Sequence, residues 1–422
     1  MGSISNPDVT TLDVVEPLVP WSVVSLSIHR YLPIAAFYFF LNHAGVDNLG
    51  LPIGVFYTSL LSPLFYIWLY LEGRRWLTAN FLLILSPFIL AQIVMGIENH
   101  VEYLRTLAHW WTVYITVYAF CWALSQCRSL DRLFDQLILL NFCAAMLGLI
   151  LLPTPLQSLF WKNTETIVGG SNSLRLNLLS TEPSAYAELM FPLLIFAALR
   201  LLRDTRRRNG AYSMMIAVPF LLCQSFGGIS IGLAAIGVSL MVGYRQLLSS
   251  QKSRIRFFCL ALATGALLLT PNPISQRVWQ AAAGNDPSTQ GRTILAYIAG
   301  YTVASSKSLW WGVGLGQAKY IDFSYLVGGM NGRIPNMVAG TLSEFGFIGV
   351  ITILAVEVYL FFRTKVYLNS FRLAIFVVAF LQQFTGSYGT DIQEYLMWFL
   401  AFCPLFPYFN LRDDSRLEVS RS

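Results

Sequence analysis

Charge is what this chain lacks most. Only 12% of its 422 residues are Asp, Glu, Lys or Arg, about half the share of an ordinary soluble domain. A water-facing globule of this size is excluded on that count. Histidine is scarcer still, with His29, His43, His100 and His109 in the first quarter and none afterwards. The six cysteines (Cys121, Cys127, Cys143, Cys223, Cys259 and Cys403) form no CxxC pair and no Cys/His cluster of the kind that holds a metal. No internal repeat and no low-complexity tract is present. The opening "MGSISNPDV" has no basic region leading into a short apolar core, so no cleaved signal peptide is expected. It matches the outline of a myristoylation signal, but an acyl anchor adds nothing to a chain with many apolar spans.

Apolar sequence is abundant instead. Hydrophobic residues make up 55% of the chain and aromatics 14%, and mean hydropathy is positive. Runs of roughly 17–25 apolar residues recur throughout, the length a helix needs to cross a bilayer. They fall near 25–45, 51–71, 78–97, 107–124, 133–153, 183–202, 211–227, 228–247, 256–271, 337–362, 372–389 and 392–409. The runs are continuous rather than alternating, which disfavours a membrane barrel. The expected fold is an all-α polytopic membrane protein of about twelve transmembrane helices. A polar segment, 1–24, precedes a membrane domain, 25–409, and a short tail, 410–422, follows. The pair Gly227-Gly228 is expected to form the tight turn between two spans.

The basic residues give the expected orientation. Arg74 and Arg75, then Arg128 and Arg132, then "RDTRRR", "QKSRIR" and "RTK", and finally Arg412 and Arg416 all alternate onto one face. The positive-inside rule makes that face cytoplasmic and puts both termini there. The net charge of +6 is explained by these loops, so no nucleic-acid partner is implied. Two long connections, 153–182 and 271–336, then lie on the outer side. Connections of more than about 15 residues in a compact domain are usually functional or disordered. These are rich in Trp, Tyr, Gly and Arg, which argues against disorder. None of the cysteines lies in either, so no disulfide staples them.

The outer segments carry the candidate chemistry. In "RLNLLSTEPSAYAEL", Ser180 or Thr181 is the expected N-cap, with Glu182 and Pro183 in the first turn and Arg175 just upstream. A helix N-terminus facing outward suits an anion; Arg175 snorkelling to lipid phosphates is the plainer reading. The second loop contributes Arg277 in "ISQRVW", Arg292 in "PSTQGRTILAYIAGY", and Arg333 with Asn336 in "GGMNGRIPN". Ile294, Leu295, Ile298 and Tyr301 recur on a helical period, predicting an amphipathic interfacial helix that starts at Arg292. "WWGVGLGQ" completes no nucleotide-binding glycine pattern and is expected to be a flexible turn beside an interfacial tryptophan. Several arginines on a charge-poor face point to a phosphorylated, lipid-borne ligand, since guanidinium forks bind phosphate oxygens in pairs. Glu344, two turns into a span that Asn336 caps, is an ionisable group at an expensive depth. A packing hydrogen bond is its plainer reading. Asp391 and Glu394 open the last span, where they complement the helix dipole.

Taken in order, these pieces resemble the O-antigen ligase/polymerase superfamily, and in particular its Wzy-type polysaccharide polymerases. The resemblance rests on an Arg and a "TEPS" box before a mid-chain span, "GRT…Y" in a long outer loop, "GVGLGQ", and Asn followed by "LSEFGFIG". It implies a GT-C-like membrane glycosyltransferase that needs no metal or cofactor. Such an enzyme acts at the periplasmic face of a bacterial inner membrane on undecaprenyl-pyrophosphate-linked oligosaccharides. Arg175, Arg292, Arg277 and Arg333, with Asn336, would then hold the pyrophosphate. Glu182, or failing that Glu344, would take the proton from the attacking sugar hydroxyl. A chain-length regulator and a flippase are the partners implied. Ligases of the superfamily carry a histidine just before the Asn; here Pro335 stands there, which favours a polymerase. The Arg-x10-Gly spacing of some polymerases is absent, because Tyr186 occupies the position after ten residues beyond Arg175. A ligase-type transferase using another acceptor, and a flippase or transporter of lipid-linked oligosaccharides, are the competing expectations.

Overall fold

The computed structural model describes residues 57–127, 129–165, 172–180, 182–204, 206–248, 250–271, 287–322, 334–386 and 392–411, together with a few isolated positions between these segments. The expected span at 25–45, the start of the next, and Arg277, Arg333 and Asp391 lie outside the described residues.

Helices follow the apolar runs. In chain order they are α1 (Tyr57–Leu71), α2 (Leu77–Val94), α3 (His100–Ser125), α4 (Leu130–Ile150), the single turn α5 (Gln157–Phe160), α6 (Pro183–Arg203), α7 (Arg207–Leu222), α8 (Phe226–Leu247) and α9 (Gln251–Leu269). After the long second connection come α10 (Pro287–Arg292), α11 (Ile294–Ser305), α12 (Met337–Arg363), α13 (Ser370–Thr385) and α14 (Ile392–Phe402). Among the described residues, five helical stretches are long and apolar enough to cross a membrane: Leu77–Val94, Leu130–Ile150, Pro183–Arg203, Gly227–Tyr244 and Met337–Arg363. The chain is thus a predominantly helical protein with the features of an integral membrane protein.

Strand structure among the described residues is confined to the first long connection, where β1 (Trp161–Glu165) and β2 (Asn172–Leu176) form an antiparallel hairpin pairing Lys162 with Arg175. The hairpin seals itself to the bundle through Trp161, whose indole donates to the Gly148 carbonyl at the end of α4, and through Leu176, which is fully buried.

α6 is the central helix. Tyr186, Met190, Phe191, Leu193, Phe196 and Leu199 are buried on every side of it, as expected of a helix apolar all round. Its N-cap sits one or two residues later than the sequence predicts. Glu182 takes the extended N-cap conformation and Pro183 the first helical position, where a missing N–H costs nothing. The turn between α7 and α8 is likewise displaced. It runs through Cys223, Gln224 and Ser225, with Gln224 at positive φ and the Ser225 hydroxyl accepting from Gly228 N–H. Gly227 and Gly228 therefore belong to the first turn of α8, and Gly228 lets that turn approach Ala187.

Two ends of the bundle can be told apart by their contacts. At one, the long connections meet the α7–α8 turn and the end of α13. At the other, the turn after α6, the α8–α9 link, the α12–α13 link and the segment after α14 come together. Arg372 knits that second end. Its guanidinium donates to the Thr364 carbonyl and hydroxyl beyond α12 and to the Ala401 and Phe402 carbonyls of α14. These are C-terminal helix carbonyls without intrahelical partners, where a cation also offsets the helix dipole. Phe134, Phe196, Phe371, Phe406 and Phe409 form an aromatic cluster beside it.

Candidate functional site

The most informative element at the loop end is α12, because it is not one helix. At Gly346, with φ of 68° and ψ of −167°, the helical path breaks. A break strands carbonyls on one side and N–H groups on the other, and burying them unpaired costs several kcal/mol in an apolar setting. The "WWGVGLGQ" segment supplies the partners. Val313 and Gly314 N–H donate to the Ser343 and Glu344 carbonyls, while Phe347 and Ile348 N–H donate to the Leu309 and Trp310 carbonyls. Two backbones cross at van der Waals contact to do this. A Cβ on Gly312 would lie 2.4 Å from the Glu344 carbonyl carbon, and one on Gly346 would lie 2.3 Å from that of Trp310. The expectation of a flexible turn is therefore corrected: these glycines permit a docked, hydrogen-bonded crossing. Trp310 itself is exposed at 61%, as an interfacial anchor would be.

Glu344 sits on the edge of this break. Its Oε1 accepts from Gly316 N–H at 3.1 Å, so the carboxylate helps hold the loop. Its carbonyl takes a second donor from Gln92 on α2, and Gln92 is fixed in turn by the Tyr103 hydroxyl of α3. Gln317 continues the join by accepting from Asn99 N–H and donating to the Asn99 carbonyl. Gln92, Tyr103 and Gly346 are the participants that the sequence reading missed. A lone glycine inside an apolar run was the available signal for Gly346; the other two carried none.

Asn336 is fully buried and joins three elements. Its Oδ1 accepts from Ala339 N–H, capping α12, while its Nδ2 donates to the Arg292 carbonyl at the start of α11 and to the Phe384 carbonyl in the last turn of α13. Tyr297 of α11 donates its hydroxyl to the same Phe384 carbonyl at 3.3 Å. With its amide engaged by backbone, Asn336 acts as a positioning residue for Arg292.

Arg292 ends α10, two residues ahead of α11, and is half-buried. Its side chain lies along Gly386, where an added Cβ would come within 3.3 Å of Nη1. Among the described residues its guanidinium makes no hydrogen bond and no ion pair. Its backbone stands beside the N-termini of α11 and α12, while the guanidinium lies at Gly386, the C-cap of α13, a helix end whose partial negative charge suits a cation. The helix α11 is placed as predicted, and small residues rather than the large apolar stripe form its packing face. Ala296, Ala299, Gly300, Val303 and Ala304 pack on α12, while Ile294, Ile298 and Tyr301 face outward. Gly300 sits against the Ala339 carbonyl, so small residues set the contact and the large apolar stripe is left for lipid.

Arg175 and Glu182 belong to a separate local unit. Arg175 Nε donates to the Cys223 carbonyl at 2.8 Å, tying the hairpin to the end of α7. Glu182 is exposed at the start of α6 and accepts from the Ser184 hydroxyl at 3.1 Å. No hydrogen bond among the described residues joins this pair to Arg292, Asn336 or Glu344. Glu394 is buried in the first turn of α14. No protein-family model matches the chain, and no match to a curated protein is found.

Proposed function

We propose that this protein is a Wzy-type polymerase, joining undecaprenyl-pyrophosphate-linked oligosaccharides into a surface polysaccharide at the periplasmic face of a bacterial inner membrane. The observation that carries the reading is Arg292: a half-buried arginine whose backbone is held by Asn336 and whose guanidinium, lying at Gly386, is left without a carboxylate among the described residues. That arrangement suits a pyrophosphate presented from the membrane, with α11's exposed Ile294 and Ile298 beside the lipid. About twelve membrane crossings, a GT-C-like architecture and cytoplasmic termini belong to the same proposal.

In the proposed reaction, the hydroxyl oxygen of the acceptor's terminal sugar attacks the anomeric carbon of the donor chain. The bond from that carbon to pyrophosphate breaks, and the lipid pyrophosphate leaves with the electron pair. Arg292 stabilises the charge that develops on it. Arg175, Arg277 and Arg333 are the further pyrophosphate ligands proposed. The hydroxyl proton goes to Glu182 or Glu344. Glu344 shares the helix capped by Asn336, which holds the Arg292 backbone, while Glu182 is the more open to water. The break in α12 also favours a second reading, a transporter of lipid-linked oligosaccharide, because interrupted helices line many transport sites.

The test is the purified protein in nanodiscs with its undecaprenyl-pyrophosphate-linked repeat unit, read as product length on a gel. A ladder supports polymerisation. Transfer of a single unit to an acceptor without lipid pyrophosphate, or movement of substrate across vesicles without a new glycosidic bond, replaces it with the ligase or transport reading.

A further inference from the structure

At the end of the bundle opposite the long loops, a cavity of about 400 Å³ is walled by Arg200 and Arg203 from the last turn of α6, Asp204 beyond it, Ser250 ahead of α9, and Tyr408. Its volume falls at the small end of ligand pockets. The surroundings are basic. Arg200 and Arg208 share the buried Asp135 at 2.7 and 3.2 Å, Arg206 pairs with Asp204, and Arg256 donates to the Leu201 carbonyl. Tyr408 donates to Asp131. Five arginines thus stand against three aspartates.

The cavity also lies at a defined level. The candidate span Pro183–Arg203 ends in its wall, at Arg203. Ser250 on its wall links α8 to α9, and those two helices carry exposed apolar residues, Met241 and Tyr244 on α8 and Ile255, Phe258 and Leu262 on α9, each more than half exposed. A basic cavity of headgroup size at the junction of two helices with exposed apolar residues matches one molecule better than a soluble anion. We infer that this cavity binds the phosphate headgroup of an anionic phospholipid, with the acyl chains lying along α8 and α9. The inference is independent of the proposed polymerase activity.

The experiment is native mass spectrometry of the full-length protein, delipidated in detergent and titrated with phosphatidylglycerol or phosphatidylcholine. Wild type retains phosphatidylglycerol in preference. Each arginine near an anionic lipid surface is worth about 1 kcal/mol, so Arg203→Gln weakens retention about fivefold and Arg203→Glu about thirtyfold. Arg207→Glu, the same charge change at an exposed neighbouring position, leaves it unchanged. Should Arg203→Glu fail to fold, Arg203→Gln carries the comparison. The inference is overturned if wild type shows no lipid preference, or if Arg207→Glu weakens binding as much as Arg203→Glu. Displacement of the bound lipid by millimolar inorganic phosphate would also overturn it, by assigning the site to a free anion.

Discussion

Arg372 and Arg292 stand at opposite ends of the same helix, Ser370–Thr385, and differ in what surrounds them. Arg372 is 5% exposed and donates to three carbonyls and a hydroxyl. Arg292 is half-buried, packs on Gly386, and makes no hydrogen bond through its guanidinium among the described residues. The first is a fastener between helix ends. The second is held in place by its own backbone carbonyl, through Asn336, leaving its charged group available. A chain with so few charges in apolar surroundings keeps each one at a cost. An arginine without internal work is the place to look for external work.

The contrast can be broken or sharpened by substitution. The largest expected loss of stability comes from Gly346→Ala, which puts a Cβ into the Trp310 backbone at positive φ; at least about 3 kcal/mol should go, seen as early aggregation on heating in detergent. Asp135→Leu strips the shared partner from Arg200 and Arg208 and is expected to cost about 3 kcal/mol by the same measurement. Asn336→Ala removes a cap and two amide donors, with an expected cost of about 2 kcal/mol. Asn336→Asp keeps the cap acceptor but sets a carboxylate against two carbonyls, so it should rescue nothing. If Asn336→Asp were as stable as wild type, the three-way junction would be wrong. Lys319→Met, which loses a partly exposed pair with Glu102, should cost about 1 kcal/mol or less.

Much of the fold was legible because helices follow apolar runs: Pro183–Arg203 and Met337–Arg363 fall within a residue of their expected limits. The break at Gly346 was not legible, since a glycine in an apolar run fits an unbroken helix equally well. What decides it is a loop some thirty residues upstream that lends four hydrogen bonds. The hairpin holding Arg175 was hidden for a similar reason, as five-residue strands in a polar connection leave almost no periodic signal. Capping chemistry singled out Asn336, whose cap the structure shows, and charge scarcity singled out Arg292. Their hydrogen bond was not foreseeable, because it joins residues 44 positions apart.

The most direct measurement pairs stability with chain growth in Arg292→Ala. With no internal partner among the described residues for its guanidinium, the variant should melt within about 0.5 kcal/mol of wild type. Polymerisation of the undecaprenyl-pyrophosphate-linked repeat should fall by at least about a hundredfold. A variant that still builds a full ladder would contradict the account, and so would one that loses its ladder only because it no longer folds.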